Sequence, residues 1–206
     1  MYKRQQLFDG RRFPLRLHQV PSQIRRAEVA SALDERTIGS ARVRGIRLNH
    51  PGGSTGYRID DADGASLVLY TDQELTPGAA HVEPVILRED LLAFARDATL
   101  LIHDAQYLDR DLPAKTGWGH STVPAVLEIA RAVKARTLAL YHHDPDRDDD
   151  ELDAIGETSA AWWTAQVGAG ATIVAREGMT LLVGPDGVTE QKQGTGDGQP
   201  ATGNGR

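Results

Sequence analysis

The sequence predicts an α/β fold, a sheet with helices laid across it, and three observations carry that expectation. Two apolar runs, 98–102 and 137–141, have the length and composition of buried strands. The segment between them, 123–134, reads as a helix, so strand, helix and strand make a crossover unit beside a sheet. Short alternating segments at 41–48, 56–60 and 66–70 supply further strands ahead of this unit.

Taken in order, Pro21 and Ser22 open a helix over 22–33, with Ile24, Val29 and Leu33 as a modest apolar face among charges. The three alternating strands are separated by Pro51-Gly52-Gly53 and by Asp61-Ala62-Asp63-Gly64, the second of which has the composition of a hairpin loop. A helix at 88–96 leads into the first buried strand. After the second, 149–166 forms a long helix with Leu152, Ile155, Trp162 and Trp163 toward the core, entered through a polar loop in which Asp144 or Asp148 acts as the cap. Segments 171–175 and 180–183 are expected to close the fold as a hairpin around Glu177-Gly178. From Pro185 onward Gly, Gln, Thr and Asp predominate, so residues 1–184 are expected to form one folded unit and 185–206 a disordered low-complexity tail.

A chain of 206 residues with 40% hydrophobic content can bury a sizeable core. It has no run of eighteen apolar residues, and no apolar stretch follows the basic N-terminal residues, so cytoplasmic location is the default expectation. The absence of cysteine excludes thiolate ligands and cysteine nucleophiles, leaving His and carboxylates as metal donors. A net charge of −6 argues against a general electrostatic grip on nucleic acid, and Arg25, Arg26, Arg42, Arg44 and Arg47 read as a solvated basic face.

Four segments place metal-binding or proton-transferring side chains directly after an apolar strand, where sites collect in layered α/β folds. They are Asn49-His50-Pro51-Gly52-Gly53, Thr71-Asp72-Gln73-Glu74, His103-Asp104-Ala105-Gln106-Tyr107 with the following Gly119-His120-Ser121-Thr122, and His142-His143-Asp144-Pro145. Each alone has an ordinary explanation: a hydrogen-bonded structural histidine, a turn-forming aspartate, a helix-entry loop. Four in one chain weaken those explanations together.

In order and spacing the four segments resemble the metallo-β-lactamase superfamily, in particular its phosphodiesterase-like and transfer-RNA 3′-processing members, over about residues 8–152. The resemblance implies the C-terminal part of an αββα four-layer sandwich and a dinuclear metal centre, usually zinc, with manganese or iron compatible with the same donors. It also implies roles. His50 would bind one metal, Asp72 would bridge both, His142 would bind the other, and His120 would assist proton transfer to the leaving oxygen. His143 is expected to be a neighbour only, pointing away from His142 if the strand continues.

The family's His-x-His-x-Asp-His loop, which lies upstream of the segment equivalent to His50, does not occur in this sequence. The chain is therefore expected to be a C-terminal portion of such a fold, binding metal weakly because each ion keeps one histidine and the shared Asp72. The implied reaction is hydrolysis of a phosphodiester, cyclic nucleotides included, by a hydroxide held between the metals. Hydrolysis of esters, thioesters or lactams on the same scaffold is the alternative. A non-catalytic interaction module, using the acidic 144–153 run and Trp162-Trp163 as a partner surface, is the alternative from another class.

Overall fold

An antiparallel meander becomes a parallel sheet at its fourth strand, and this change of topology is what assembles the site. The computed structural model describes residues 35–77, 81 and 88–191. Strands β1 (Glu35–Ile38), β2 (Ala41–Leu48), β3 (Ser54–Asp60) and β4 (Ser66–Tyr70) pair antiparallel in succession. The chain then crosses through α1 (Arg88–Ala95) to β5 (Leu100–Asp104), through α2 (Val123–Ala132) to β6 (Thr137–Tyr141), and through α3 (Asp149–Gln166) to β7 (Ala171–Val174). β4 to β7 are mutually parallel, giving one seven-stranded sheet in the order β1 to β7. Because β2 lies two antiparallel steps from β4, it runs in the same direction as β4, β5 and β6. The C-terminal ends of all four therefore open at one edge of the sheet.

The sheet has two unlike faces, fixed by the alternation of side chains along each strand. On one face Ile46, Leu48, Val68, Tyr70, Leu101, Leu138 and Leu140 form a core with Phe94 of α1, Val126 and Ile129 of α2, and Ile155 and Trp163 of α3. Tyr70 ties this face to α1 by donating from its hydroxyl to the Leu91 carbonyl at 2.6 Å. Gly56 is required beside it, since a Cβ there would lie 2.7 Å from the Tyr70 ring. On the opposite face Tyr57, Leu67, Leu69, Ile102 and Ile173 are only half-buried.

The predicted strands and helices recur with small shifts at their ends. β5 begins and ends two residues later than the apolar run, because His103 and Asp104 continue the pairing with β6. α2 starts where Thr122 accepts the Ala125 N–H, and α3 starts where Asp148 accepts the Glu151 N–H at 2.9 Å. Asp144, the other candidate cap, instead pairs with Lys115. β1 was not foreseen: its four residues are all exposed, so it carries no apolar alternation. The helix expected over 22–33 lies outside the described residues.

Three expectations are corrected. Residues 171–175 and 180–183 do not pair with each other; β7 joins the main sheet beside β6, and the hairpin is formed by β8 (Leu181–Gly184) and β9 (Gly187–Glu190) around Pro185-Asp186. The sequence misleads here because parallel pairing to a distant strand leaves no local turn signal. The low-complexity tail consequently starts later than 185, since β9 pairs in register with β8; residues 192–206 lie outside the described residues. Trp163 is not open to a partner surface: it is 2% exposed and donates from Nε1 to the Ala169 carbonyl at 3.1 Å, while Trp162 is half-buried.

Two of the five arginines of the basic face, Arg42 and Arg44, have an acidic neighbour. Arg44 pairs with Asp60 at 3.0 Å, Arg58 with Asp60 at 2.8 Å, and Arg42 approaches Glu35 at 3.9 Å. Arg25 and Arg26 lie outside the described residues.

Candidate metal centre

His50, Asp72, His120 and His142 converge at the C-terminal edge of the sheet, each from a different loop. Asp72, two residues past β4, stands between two histidines. His50 Nε2 lies 3.6 Å from its Oδ2 and His142 Nδ1 lies 3.5 Å from its Oδ1. Each carboxylate oxygen is thus faced by a different imidazole. Atoms of Asp72, His120 and His142 that could ligate a metal all fall within 4.8 Å of one another.

The partners of the other ring nitrogens decide which nitrogen is free. His50 Nδ1 is 3.0 Å from the Gly119 carbonyl oxygen and must donate to it, so in the neutral ring Nε2 presents a lone pair to Asp72. Gly119 itself has φ +98°, and a Cβ there would stand 2.3 Å from His50 Nδ1 and 2.4 Å from Pro51 Cδ. Gly119→Ala is therefore expected to cost at least ~2 kcal/mol in a urea unfolding titration, through both the left-handed backbone and the collision. The same substitution displaces the His50 ring.

His120 Nδ1 donates to Asp104 Oδ2 at 2.7 Å. Asp104 closes β5, is fully buried, and also accepts the Gln73 N–H at 3.0 Å and the Gln106 N–H at 3.1 Å. Burial alone would raise its carboxyl, but hydrogen bonding to His120, the approach of His142 and the Gln73 N–H outweigh it and hold the group below the ordinary carboxylate range. In the sequence Asp104 is a strand-end residue to which no role attaches. Its signal was an ionisable residue ending an otherwise apolar strand.

His142 follows directly on β6 and takes a left-handed backbone, φ +61°. This turn sends its ring to the site while His143 turns away, its Nε2 3.0 Å from the Ala175 carbonyl oxygen. Asp104, 3.7 Å from His142 Nδ1, raises the His142 imidazole above its ordinary value, with burial opposing and Asp72 adding to the effect. His103, by contrast, is a core residue. It is fully enclosed, sits edge-on to the Tyr70 ring at 5.4 Å, and burial pushes its imidazole down.

A second buried carboxylate, Glu74, holds the loop that carries His120. It accepts the N–H groups of Gly117 and Gly119, both at 2.8 Å, and pairs with His81 Nε2 at 2.6 Å. Asn49 binds the same segment from the β2 side, donating from Nδ2 to the Glu74 carbonyl at 3.2 Å. Ser121 donates to the Gln73 carbonyl at 2.5 Å and ties down the far side of His120.

The donor set fits a divalent cation. The His142 Nδ1 atom is buried without a hydrogen-bond partner among the described residues, although two carboxylates stand within 3.7 Å. Tetrahedral coordination with bonds of about 2.0–2.2 Å places ligand atoms roughly 3.3–3.6 Å apart. The two histidine–Asp72 separations, 3.6 and 3.5 Å, have that spacing. His120, expected from the sequence to serve proton transfer, stands beside the proposed ligands.

No protein-family model matches the chain. Among curated proteins it is similar to ribonuclease Z of Brevibacillus brevis, 35% identical over 63 residues, which is 31% of this chain and 20% of that protein. Among solved structures it superposes on the metallo-β-lactamase fold protein YhfI of Bacillus subtilis with a TM-score of 0.55 and 18% identity, covering 78% of this chain and 54% of that one. It is also similar to a diphosphatase of the PhnP family, with a TM-score of 0.49 and 18% identity over 82% of this chain and 49% of that one. Its seven-stranded mixed sheet corresponds to part of that architecture, and it spans about half the length of these two solved structures. The chain therefore has part of a metallo-β-lactamase fold.

Proposed function

We propose that this site belongs to a metal-dependent phosphodiester hydrolase, with His50, Asp72 and His142 holding divalent cations and His120 moving the proton. The observation that carries the reading is the convergence of two imidazole nitrogens on Asp72 beside a third histidine backed by a buried, ionised carboxylate. A bound cation, with zinc the first candidate for such donors, would polarise a phosphoryl oxygen and activate the attacking water. His120 is held by Asp104 through Nδ1, which leaves Nε2 to deliver a proton to the leaving oxygen. Asp104 stays ionised and fixes the orientation of the ring for this role. The local likeness to a ribonuclease, an enzyme class whose substrates are phosphodiesters, favours phosphodiesters over esters or lactams.

The test is turnover by the chain loaded with zinc or manganese, using bis(p-nitrophenyl) phosphate against p-nitrophenyl acetate and a cephalosporin. Metal-dependent phosphodiester cleavage is expected. His120→Ala should slow substrates with an alkoxide leaving group far more than those releasing p-nitrophenolate, which needs no proton. Turnover of the acetate or the cephalosporin alone, or activity indifferent to chelator, would count against the assignment.

A further inference from the structure

An unusual residue stands two positions before the proposed proton carrier, His120. Trp118 is 61% exposed, one of the few large hydrophobic side chains left open to solvent among the described residues. Its backbone is nevertheless held on both sides. Glu74, itself 3% exposed, binds the N–H groups of Gly117 and Gly119, and the Trp118 N–H donates to the Lys115 carbonyl at 3.3 Å. The Gly119 carbonyl is tied in turn to His50. An exposed indole ordinarily lies on a loose surface, or folds back onto apolar neighbours to bury its large ring. Here the chain fixes the loop to a buried carboxylate and leaves the ring uncovered.

The placement relative to the site is narrow. Two peptide units separate Trp118 from His120, so their Cα atoms are at most about 7.6 Å apart. Its backbone is therefore within a side chain's reach of the centre built by His50, Asp72, His120 and His142. An exposed planar aromatic on a fixed stretch of backbone next to the proposed phosphodiester-binding centre suits a nucleobase or another planar aromatic group, because stacking is tolerant of base identity.

We propose that Trp118 is the substrate-stacking residue of this site and selects phosphodiesters that carry a nucleobase or a comparable planar ring. The proposal rests on the hydrolase reading above. Its test therefore has a binding arm that needs no turnover.

In that arm, indole emission of the metal-loaded chain is followed while adenosine 5′-monophosphate or ribose 5-phosphate is added. The nucleotide should quench the exposed indole and bind about tenfold or more tightly than the sugar phosphate. Trp118→Ala should erase that preference when binding is read by calorimetry, and Trp118→Phe should retain most of it. In the kinetic arm, Trp118→Ala should raise KM for a nucleoside 2′,3′-cyclic phosphate about tenfold more than for the cyclic phosphate of ethylene glycol. Equal binding of the two probes by the wild-type chain, or an undiminished preference in Trp118→Ala, overturns the stacking role. Absence of all phosphodiester turnover with the binding preference intact would refute the hydrolase reading and leave the stacking role standing.

Discussion

Asp104→Asn is expected to lower turnover by on the order of 10³-fold and to destabilise the chain by ~3 kcal/mol, the largest double effect of any single substitution at the site. The side chain is fully buried and meets three donors, the Gln73 and Gln106 N–H groups and His120 Nδ1–H, with His142 Nδ1 at 3.7 Å. An asparagine of the same shape brings one amide NH₂ into a pocket built from donors, so one pairing becomes a donor–donor contact. His120 also loses the anion that orients its ring.

The pH dependence of stability carries the same signature. The folded Asp104 carboxyl is held low, so its contribution is present above the ordinary carboxylate value and lost as pH falls through the folded one. His142 is raised, so its contribution is present below the ordinary imidazole value and lost as pH rises through the raised one. The metal-free chain therefore gains from both between about pH 4 and pH 6.5. Urea midpoints should show a wider gap between wild type and Asp104→Asn near pH 5.5 than near pH 8.5 (both about mid-range for the states compared). A gap that does not change with pH would show that the two groups are not coupled in this way.

Asp72→Ala should have the contrary profile, a large loss of metal affinity with little loss of fold. Asp72 is more than a third exposed and its oxygens face imidazole nitrogens at 3.5 and 3.6 Å, distances too long for hydrogen bonds. In the metal-free chain it therefore contributes little to stability. With a cation present it supplies both oxygens that face the two histidines. Competition against a chelating dye should show zinc binding weakened by about 100-fold or more in Asp72→Ala, while the thermal midpoint in excess chelator shifts by no more than a degree or two. A variant that unfolds early in chelator, or that binds zinc as the wild type does, would remove Asp72 from the centre.

Strand ends were the part of the site that could be read directly. An apolar run followed by His or Asp is a local pattern, and it located His50, Asp72 and His142. Their common edge was not local: it follows from β2 lying two antiparallel steps from β4, which only the register reveals. Asp104 and Glu74 were harder still. Each accepts backbone N–H groups from segments 31 to 45 residues away in sequence, and no spacing rule encodes that. The exchange of hairpin partners near the C-terminus has the same cause, since β7 pairs with β6 across the whole length of α3.

The left-handed backbone at His142 has a consequence for how such a chain changes under selection. A histidine at φ +61° carries a conformational cost of roughly 1–2 kcal/mol that glycine would avoid. Fold and site thus favour different residues at one position. A mutant library ranked by heat resistance alone should drift toward glycine or asparagine there, and its hardiest members would be those that had lost the imidazole facing Asp72 and Asp104. Histidine at 142 is where the requirements of the site take precedence over those of the scaffold.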